Sequence, residues 1–307
     1  MRAWLAALLW VWSALAGAET WRFALIGDVP YSEHERRELP KMLEAIADAQ
    51  VDFVAHVGDI KSSRERCDDS LFEERKALFN ASRAPFVLVA GDNEWTDCRR
   101  TNAGFYRPLE RLAKLRSLFW SSDRSLGQRQ IALERQPGPY PEQARFRLGP
   151  VLFVTLNVPG SDNNWGMGSE PQPEFLTRNP AVLAWVREGF ALARRENLAG
   201  IVFLMQANPD FKLFALGLPH HGFRDLLETL RSETLDFPGQ VLLVHGDTHY
   251  HRIDQPLLGP KGEAITRFTR VETYGYPLMG WVKGYIDTAS PALFRFESHS
   301  WATRGLW

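Results

Sequence analysis

Cysteine is almost missing from this chain of 307 residues, which has only 2, so a small disulfide-framework protein is excluded. An excess of charge of either sign is missing too. Lys+Arg 36 against Asp+Glu 37 leaves a formal net charge of -1. There is therefore no global basic field to draw in nucleic acid or anionic lipid, and an anionic substrate must be bound locally. Past the first residues no apolar run is long enough to span a bilayer. Internal repeats, charge blocks and low-complexity linkers are absent as well, so nothing in the sequence calls for an independent second domain. What remains is 45% apolar and 24% charged, with 23 Gly and 19 Pro, a globular profile that excludes disorder and collagen.

Residues 1–18 have a basic start (Arg2), an apolar stretch from Ala3 to Leu15 and the small-residue ending Ala16, Gly17, Ala18. This predicts a secretory signal cleaved before Glu19, leaving a single domain over 19–307. The expected location is outside the cytoplasm, periplasmic in a Gram-negative cell, with no membrane attachment after cleavage. In that oxidising compartment Cys67 and Cys98 are expected to form a disulfide, the one intramolecular pairing available.

Short runs rich in β-branched and aromatic residues recur: Phe23 to Ile26, Phe53 to Val57, Phe86 to Ala90, Val151 to Leu156, Ile201 to Met205 and Val241 to His245. They are apolar almost throughout instead of alternating, as strands covered on both faces are. Helical patterns lie between them. One follows Pro40 with Leu39, Leu43 and Ile46 on a face, another is expected to open at Asn179-Pro180, and a third spans about His221 to Thr234. After His249 only strands are expected: Thr266 to Thr273, Trp281 to Asp287 and Leu293 to Glu297, forming a second sheet or an antiparallel edge. The stretch NVPGSDNNWGMGSEPQP, from Asn157 to Pro173, is a long loop, and such loops in compact domains are usually functional.

Gly-Asp occurs four times, at Gly27-Asp28, Gly58-Asp59, Gly91-Asp92 and Gly246-Asp247, each directly after an apolar run. Strand carboxyl ends are where open α/β sheets place ligand sites. Glycine lets the backbone turn there and a ligand approach. Carboxylates that converge repel one another, and burial adds to the cost unless a cation neutralises them or they take up protons. A divalent metal meets that need. His249 is placed to supply a nitrogen. His56, inside an apolar strand, reads as a hydrogen-bonded core residue, and His34, His220, His221 and His299 as surface or helix positions.

The order of these motifs resembles the calcineurin-like metallophosphoesterases, over nearly all of the chain from Trp21 to about Asp287. The resemblance implies a four-layered αββα sandwich, an α/β fold of two mixed sheets flanked by helices, that hydrolyses phosphate esters at two bridged metals. Asp28, Asp59 and His249 match the family's ligand pattern as they stand. Pro30 replaces a histidine, while Asp92, Gln206 and Asp247 replace other ligands by groups that still offer oxygen. Asn93 stands where the family has its catalytic histidine. Thr248-His249-Tyr250-His251 allows a shifted register, but Gly246 directly after the strand fits the turn better.

The resemblance implies Asp59 as the bridging ligand, with Asp28 and His249 completing one metal site and Asp92, Gln206 and Asp247 the other. Asn93 is expected to donate a hydrogen bond to a phosphoryl oxygen. One or two divalent ions are expected, manganese or magnesium in preference to zinc or iron, because the set is dominated by oxygen. Lys61, Arg99 and Asn163 are candidates to bind the substrate, a small phosphate ester. Trp95 reads as a wall of the site or as core. A rival reading keeps the fold without catalysis and uses the carboxylates to hold a cation or a ligand.

Overall fold

An apolar strand without alternation needs cover on both faces, and two stacked sheets between helices provide it. The computed structural model describes residues 20–166 and 168–301, so the predicted signal in residues 1–18 lies outside the described residues. In chain order the elements begin with β1 (Thr20–Ile26), α1 (Glu33–Asp48), β2 (Phe53–His56), α2 (Asp69–Asn80), β3 (Phe86–Leu88) and α3 (Pro108–Phe119). There follow β4 (Glu134–Arg135), β5 (Ala144–Leu148), β6 (Val151–Thr155), the short kinked α4 (Gly160–Asn163), α5 (Pro173–Arg195) and β7 (Gly200–Leu204). The chain continues with α6 (Phe211–Ala215), α7 (His221–Asp236), β8 (Gln240–His245), β9 (Arg252–Asp254), β10 (Phe268–Glu272), β11 (Gly280–Asp287) and β12 (Phe294–Ser300).

A five-stranded sheet runs β12-β11-β1-β2-β3 and a seven-stranded one β4-β5-β6-β7-β8-β10-β9. In the first, β1, β2 and β3 are parallel. In the second, β6, β7, β8 and β10 are parallel. Alternate residues of each strand enter different cores. Ala24 and Ile26 pack with Leu39, Met42, Phe72 and Leu115 of the helices outside the first sheet. Phe23 and Leu25 face inwards and meet Phe153, Val202, Leu242 and Val271 between the sheets. Ile201 and Phe203 pack with Val186, Phe190, Leu226 and Leu230 under the second sheet. The architecture is the expected α/β pair of mixed sheets flanked by helices.

Of the two alternatives for the strands after His249, the antiparallel edge holds for β11 and β12, which extend the first sheet beside β1, while β10 joins the second sheet parallel to β8. One expectation changes. Helix α5 opens at Pro173, not at Asn179-Pro180, and runs through Pro180. Pro180 removes the donor for the Leu176 carbonyl, but Leu176 is exposed, so that carbonyl lies on the solvent-facing side. Buried Arg178 ties this first part of α5 to the long loop, donating to Asn157 O at 2.8 Å and to Asn163 O at 2.8 Å. Side-chain hydrogen bonds of this kind depend on the folded chain and leave no periodic signal.

Candidate metal and active site

The carboxyl ends of β1, β2 and β8, with the loop after β3, deliver their Gly-Asp pairs to one edge of the sandwich. Asp28 (φ 52°), Asp59 (φ 60°), Asp247 (φ 82°) and His249 (φ 60°) all have left-handed backbone. Such strain in non-glycine residues costs free energy and concentrates at functional sites. The glycines serve mainly as clearance. Of the four, only Gly58 has positive φ. A Cβ on Gly91 would lie 2.2 Å from Asp59 Oδ1, and one on Gly246 2.1 Å from Asp28 Oδ2. One on Gly160, in the long loop, would fall 2.8 Å from Asp92 Oδ2 and 3.1 Å from Asp247 Oδ1. Gly91 and Gly246 therefore make room for another strand's carboxylate, whereas Gly27 clears Val57 and Thr273 and Gly58 clears the Gly91 backbone.

Asp28 accepts the Asp247 N–H at 3.0 Å on Oδ1. His249 Nδ1 donates to Tyr276 O at 2.7 Å, which orients the ring so that Nε2 faces Asp28 Oδ1 at 3.6 Å. Asp59 takes three donors: Tyr31 OH at 2.8 Å and Asn93 Nδ2 at 2.8 Å on Oδ2, and Asn93 N at 3.1 Å on Oδ1. Asp92 accepts from Ser161 Oγ at 3.3 Å, and Asp247 accepts the Asn208 N–H at 2.9 Å.

Burial pushes all four carboxyls up. Asp28 is raised by burial and then by the charges of Asp247, Asp92 and Glu272. Asp59 is raised by burial, then by Asp92, Glu94 and Asp28. Asp92 is pushed up to about 7 by burial, then by Asp97 and Asp247. Asp247 is raised by burial, against the Asn208 N–H and the Gln206 amide, which lower it. Buried Lys61 does not reach them: its ammonium is held by Asn93 O at 2.7 Å and Ser62 O at 2.9 Å, and burial pulls it down to about 8.

Among solved structures, a dimetal phosphatase from Danio rerio matches with a TM-score of 0.56 at 15% identity, over 91% of this chain and 96% of its own. A purple acid phosphatase from yellow lupin (Lupinus luteus) seeds matches with a TM-score of 0.55 at 12% identity, over 92% of this chain and 54% of its own. The chain has the metallophosphoesterase fold. It spans about half the length of the lupin protein. No family model matches the sequence, and no curated protein is significantly similar to it. At these identities the likeness is one of fold, and the chemistry has to be argued from the residues.

Within the metallophosphoesterase fold several expected residues take other parts. Gln206 Oε1 accepts the Gly160 N–H at 2.6 Å, so it braces the long loop beside Asp92 and Asp247. Asn93 has no free amide hydrogen for a phosphoryl oxygen, since Nδ2 is 2.8 Å from both Tyr31 OH and Asp59 Oδ2. It positions Asp59 instead. Lys61 is buried against backbone carbonyls and cannot meet a substrate. Asn163 is buried too, donating to Gly222 O at 2.9 Å and accepting from Arg178 at 2.7 Å, so it braces helices and binds no ligand. The long loop reaches the site through Gly160 and Ser161. Arg99 is exposed at the end of the 3-10 turn Asp97–Arg99. Trp95 is core, fully buried.

His56 is a core residue, bonded to Val29 O at 2.8 Å. In the shifted register His251 would be a ligand, but both its nitrogens are taken, by Glu272 O and Ser298 Oγ. Tyr31 is the site residue that motif spacing missed. Its only sequence signal is its place directly after Pro30, where the family pattern breaks.

Cys67 and Cys98 form a disulfide with Cα atoms 5.8 Å apart. Their sulfurs lie 3.6 and 3.7 Å from Asn93 O, directly beneath the third motif. As for metals, among the described residues no three His, Cys, Asp or Glu side chains form a ready set of ligands. The donor chemistry nevertheless fits one hard cation. The carboxylates of Asp28, Asp92 and Asp247, the last two converging on Gly160, with the His249 Nε2 beside Asp28, supply the oxygen-rich donors such ions prefer. Asp59, with three hydrogen bonds from Tyr31 and Asn93, is less open to a bridging metal than Asp28, Asp92 and Asp247 are to a single ion.

Proposed function

We propose that the protein is an exported hydrolase of phosphate esters that works with a single hard divalent cation, magnesium or manganese. The observation that carries this reading is three buried carboxylates, Asp28, Asp59 and Asp92, meeting half-buried Asp247 at one edge, with no lysine or arginine among the described residues hydrogen-bonded or ion-paired to any of the four and His249 beside Asp28. Such a cluster is costly unless a cation offsets it. Asp28, Asp92, Asp247 and His249 would hold the ion. When bound, it supplies Lewis-acid polarisation of the phosphoryl group and a lowered pKa for water.

The chain's own groups do the rest. Asp92 Oδ2, which lies against Gly160 beside Asp247, is placed to accept the proton that the attacking water loses. The water oxygen bonds to phosphorus as the ester P–O bond breaks, and the leaving oxygen takes its proton from solvent. His249 is not the donor, since its Nδ1 faces Tyr276 O and its Nε2 would hold the ion. Esters with good leaving groups are therefore favoured. The substrate is a small phosphate ester, and the disulfide supports an oxidising, extracytoplasmic setting.

A second reading, a cation- or ligand-binding protein without turnover, is favoured by the hydrogen bonds that occupy Asp59, Asn93 and Gln206. One experiment separates the two. Purified protein is stripped of metal, loaded with magnesium, manganese, calcium or zinc, and offered an activated aryl phosphate. Turnover with magnesium or manganese that Asp28→Asn abolishes supports the hydrolase. Cation binding without turnover for any ion supports the second reading.

A further inference from the structure

The lip of the carboxylate site is aromatic. A tight turn, closed by the bridge between Gly275 and Leu278, stands at its mouth. Gly275 backs directly onto the site, for a Cβ there would lie 2.8 Å from His249 Cδ2 and 2.9 Å from Asp28 Cβ. The next residue, Tyr276, holds His249 Nδ1 through its carbonyl. The Tyr276 ring lies 6.2 Å from that of Tyr31 at an interplanar angle of 26°, and Tyr31 meets the His249 ring edge-on at 5.2 Å. Tyr31 in turn ends with its hydroxyl on Asp59. An aromatic surface thus runs from the carboxylates outwards to solvent.

Its outer end is uncovered: Tyr276 is 45% and Leu278 67% exposed. Single exposed apolar residues are ordinary on protein surfaces. These two share a turn whose backbone is bonded to a site residue, so the turn cannot fold them away without displacing His249. The segment from Thr273 to Met279, TYGYPLM, carries no charge, which leaves a second anionic group of a substrate without a partner there.

We propose that this turn is the subsite for the organic group of the ester, and that the group is a flat aromatic ring resting on Tyr276 and Leu278 while the phosphoryl end meets the carboxylates. The placement of the phosphoryl end rests on the function proposed above. Aromatic contacts of this kind are worth a several-fold gain in affinity.

The test uses non-hydrolysable phosphonates, so that recognition is read apart from turnover. With magnesium-loaded full-length protein, calorimetry should show phenylphosphonate binding about 3- to 10-fold more tightly than methylphosphonate. Tyr276→Ala should bring that ratio towards one, and Tyr276→Phe should retain it. Equal binding of the two phosphonates by the wild type, or a preference that survives in Tyr276→Ala, overturns the inference alone. Binding of neither overturns both the inference and the phosphoryl site beneath it. A retained preference without hydrolysis of phenyl phosphate leaves the inference standing and removes only the hydrolytic reading.

Discussion

Asp59 and Asp247 begin from the same dipeptide. Each follows a glycine past the end of a buried strand, and each has left-handed backbone. Their surroundings are opposite. Asp59 sits in a closed set of donors from Tyr31 and Asn93, backed by the Cys67 to Cys98 disulfide. Asp247 has one backbone donor on Oδ2, while its Oδ1 lies with Asp92 against Gly160, where only the missing Cβ leaves room. The first aspartate acts as framework and the second as an open acceptor. Motif identity therefore says little about role, because the role depends on the donors that other parts of the chain bring alongside.

The largest effect should come from the framework side. Replacing Cys67 and Cys98 by alanine removes a cross-link with a sequence separation of 31 and should cost about 3 to 4 kcal/mol in the chain-entropy model. Denaturant unfolding checks this, and titration of the folded variant with magnesium should show the Asp247 side still binding. A loss of magnesium binding equal to that of Asp247→Asn would erase the distinction between the sides.

Gly91→Ala and Gly160→Ala sharpen the contrast. At Gly91 the new Cβ would meet the Asp59 backbone N at 2.2 Å, which cannot move aside, so a loss of about 2 to 3 kcal/mol is expected. At Gly160 the new Cβ meets only the ends of two side chains. That variant should keep most of its stability and lose cation binding, as the magnesium-induced rise in unfolding temperature would report.

Asp59→Asn and Asp247→Asn should have opposite signs in cation-free protein. The first puts an amide NH2 or a single oxygen before three donors and should destabilise by about 1 to 3 kcal/mol. The second relieves repulsion and should stabilise by about 1 kcal/mol. Parallel thermal melts without metal decide the signs.

The smallest effect concerns pH. A carboxyl raised by folding, such as Asp92 at about 7, binds more protons folded than unfolded. Its burden on stability is full above that value and is relieved as pH falls towards the unfolded value of 3.8. His56, lowered to about 4, and His245, lowered to about 3, act the other way, but only below the ordinary histidine value of 6.5. Cation-free protein should therefore gain about 1 kcal/mol between roughly pH 8 and 6.5, and saturating magnesium should remove that gain. A gain unaffected by magnesium would detach the carboxylates from cation binding.

Much of the fold was legible because its signals are local. Six unalternating apolar runs appear as buried strands, and α7 covers the predicted stretch with Phe223, Leu226 and Leu230 inside. Helices α2 and α3 were missed; their buried faces include Arg75 and Arg111, charged residues that give no apolar period. In the site, Asp28 and His249 do lie together. Gln206, Asn93, Lys61 and Asn163 were placed at the site by position in the chain, whereas their contacts depend on Gly160, Tyr31, Ser62 and Gly222, distant in sequence or unremarkable in composition.

By itself the sequence determined which segments must be buried on both faces, that four aspartates end strands, and that the two cysteines had one partner each. These follow from periodicity, dipeptide identity and counting, which act over a few residues. Only the tertiary structure decided that Gly91 and Gly246 serve the aspartates of other strands, that Tyr31 and Asn93 enclose Asp59, and that Asp92 and Asp247 are left short of donors. The reason is physical: a carboxylate's role is set by the hydrogen-bond donors and excluded volume within about 3 Å of its oxygens, and here those atoms come from segments far apart in the chain.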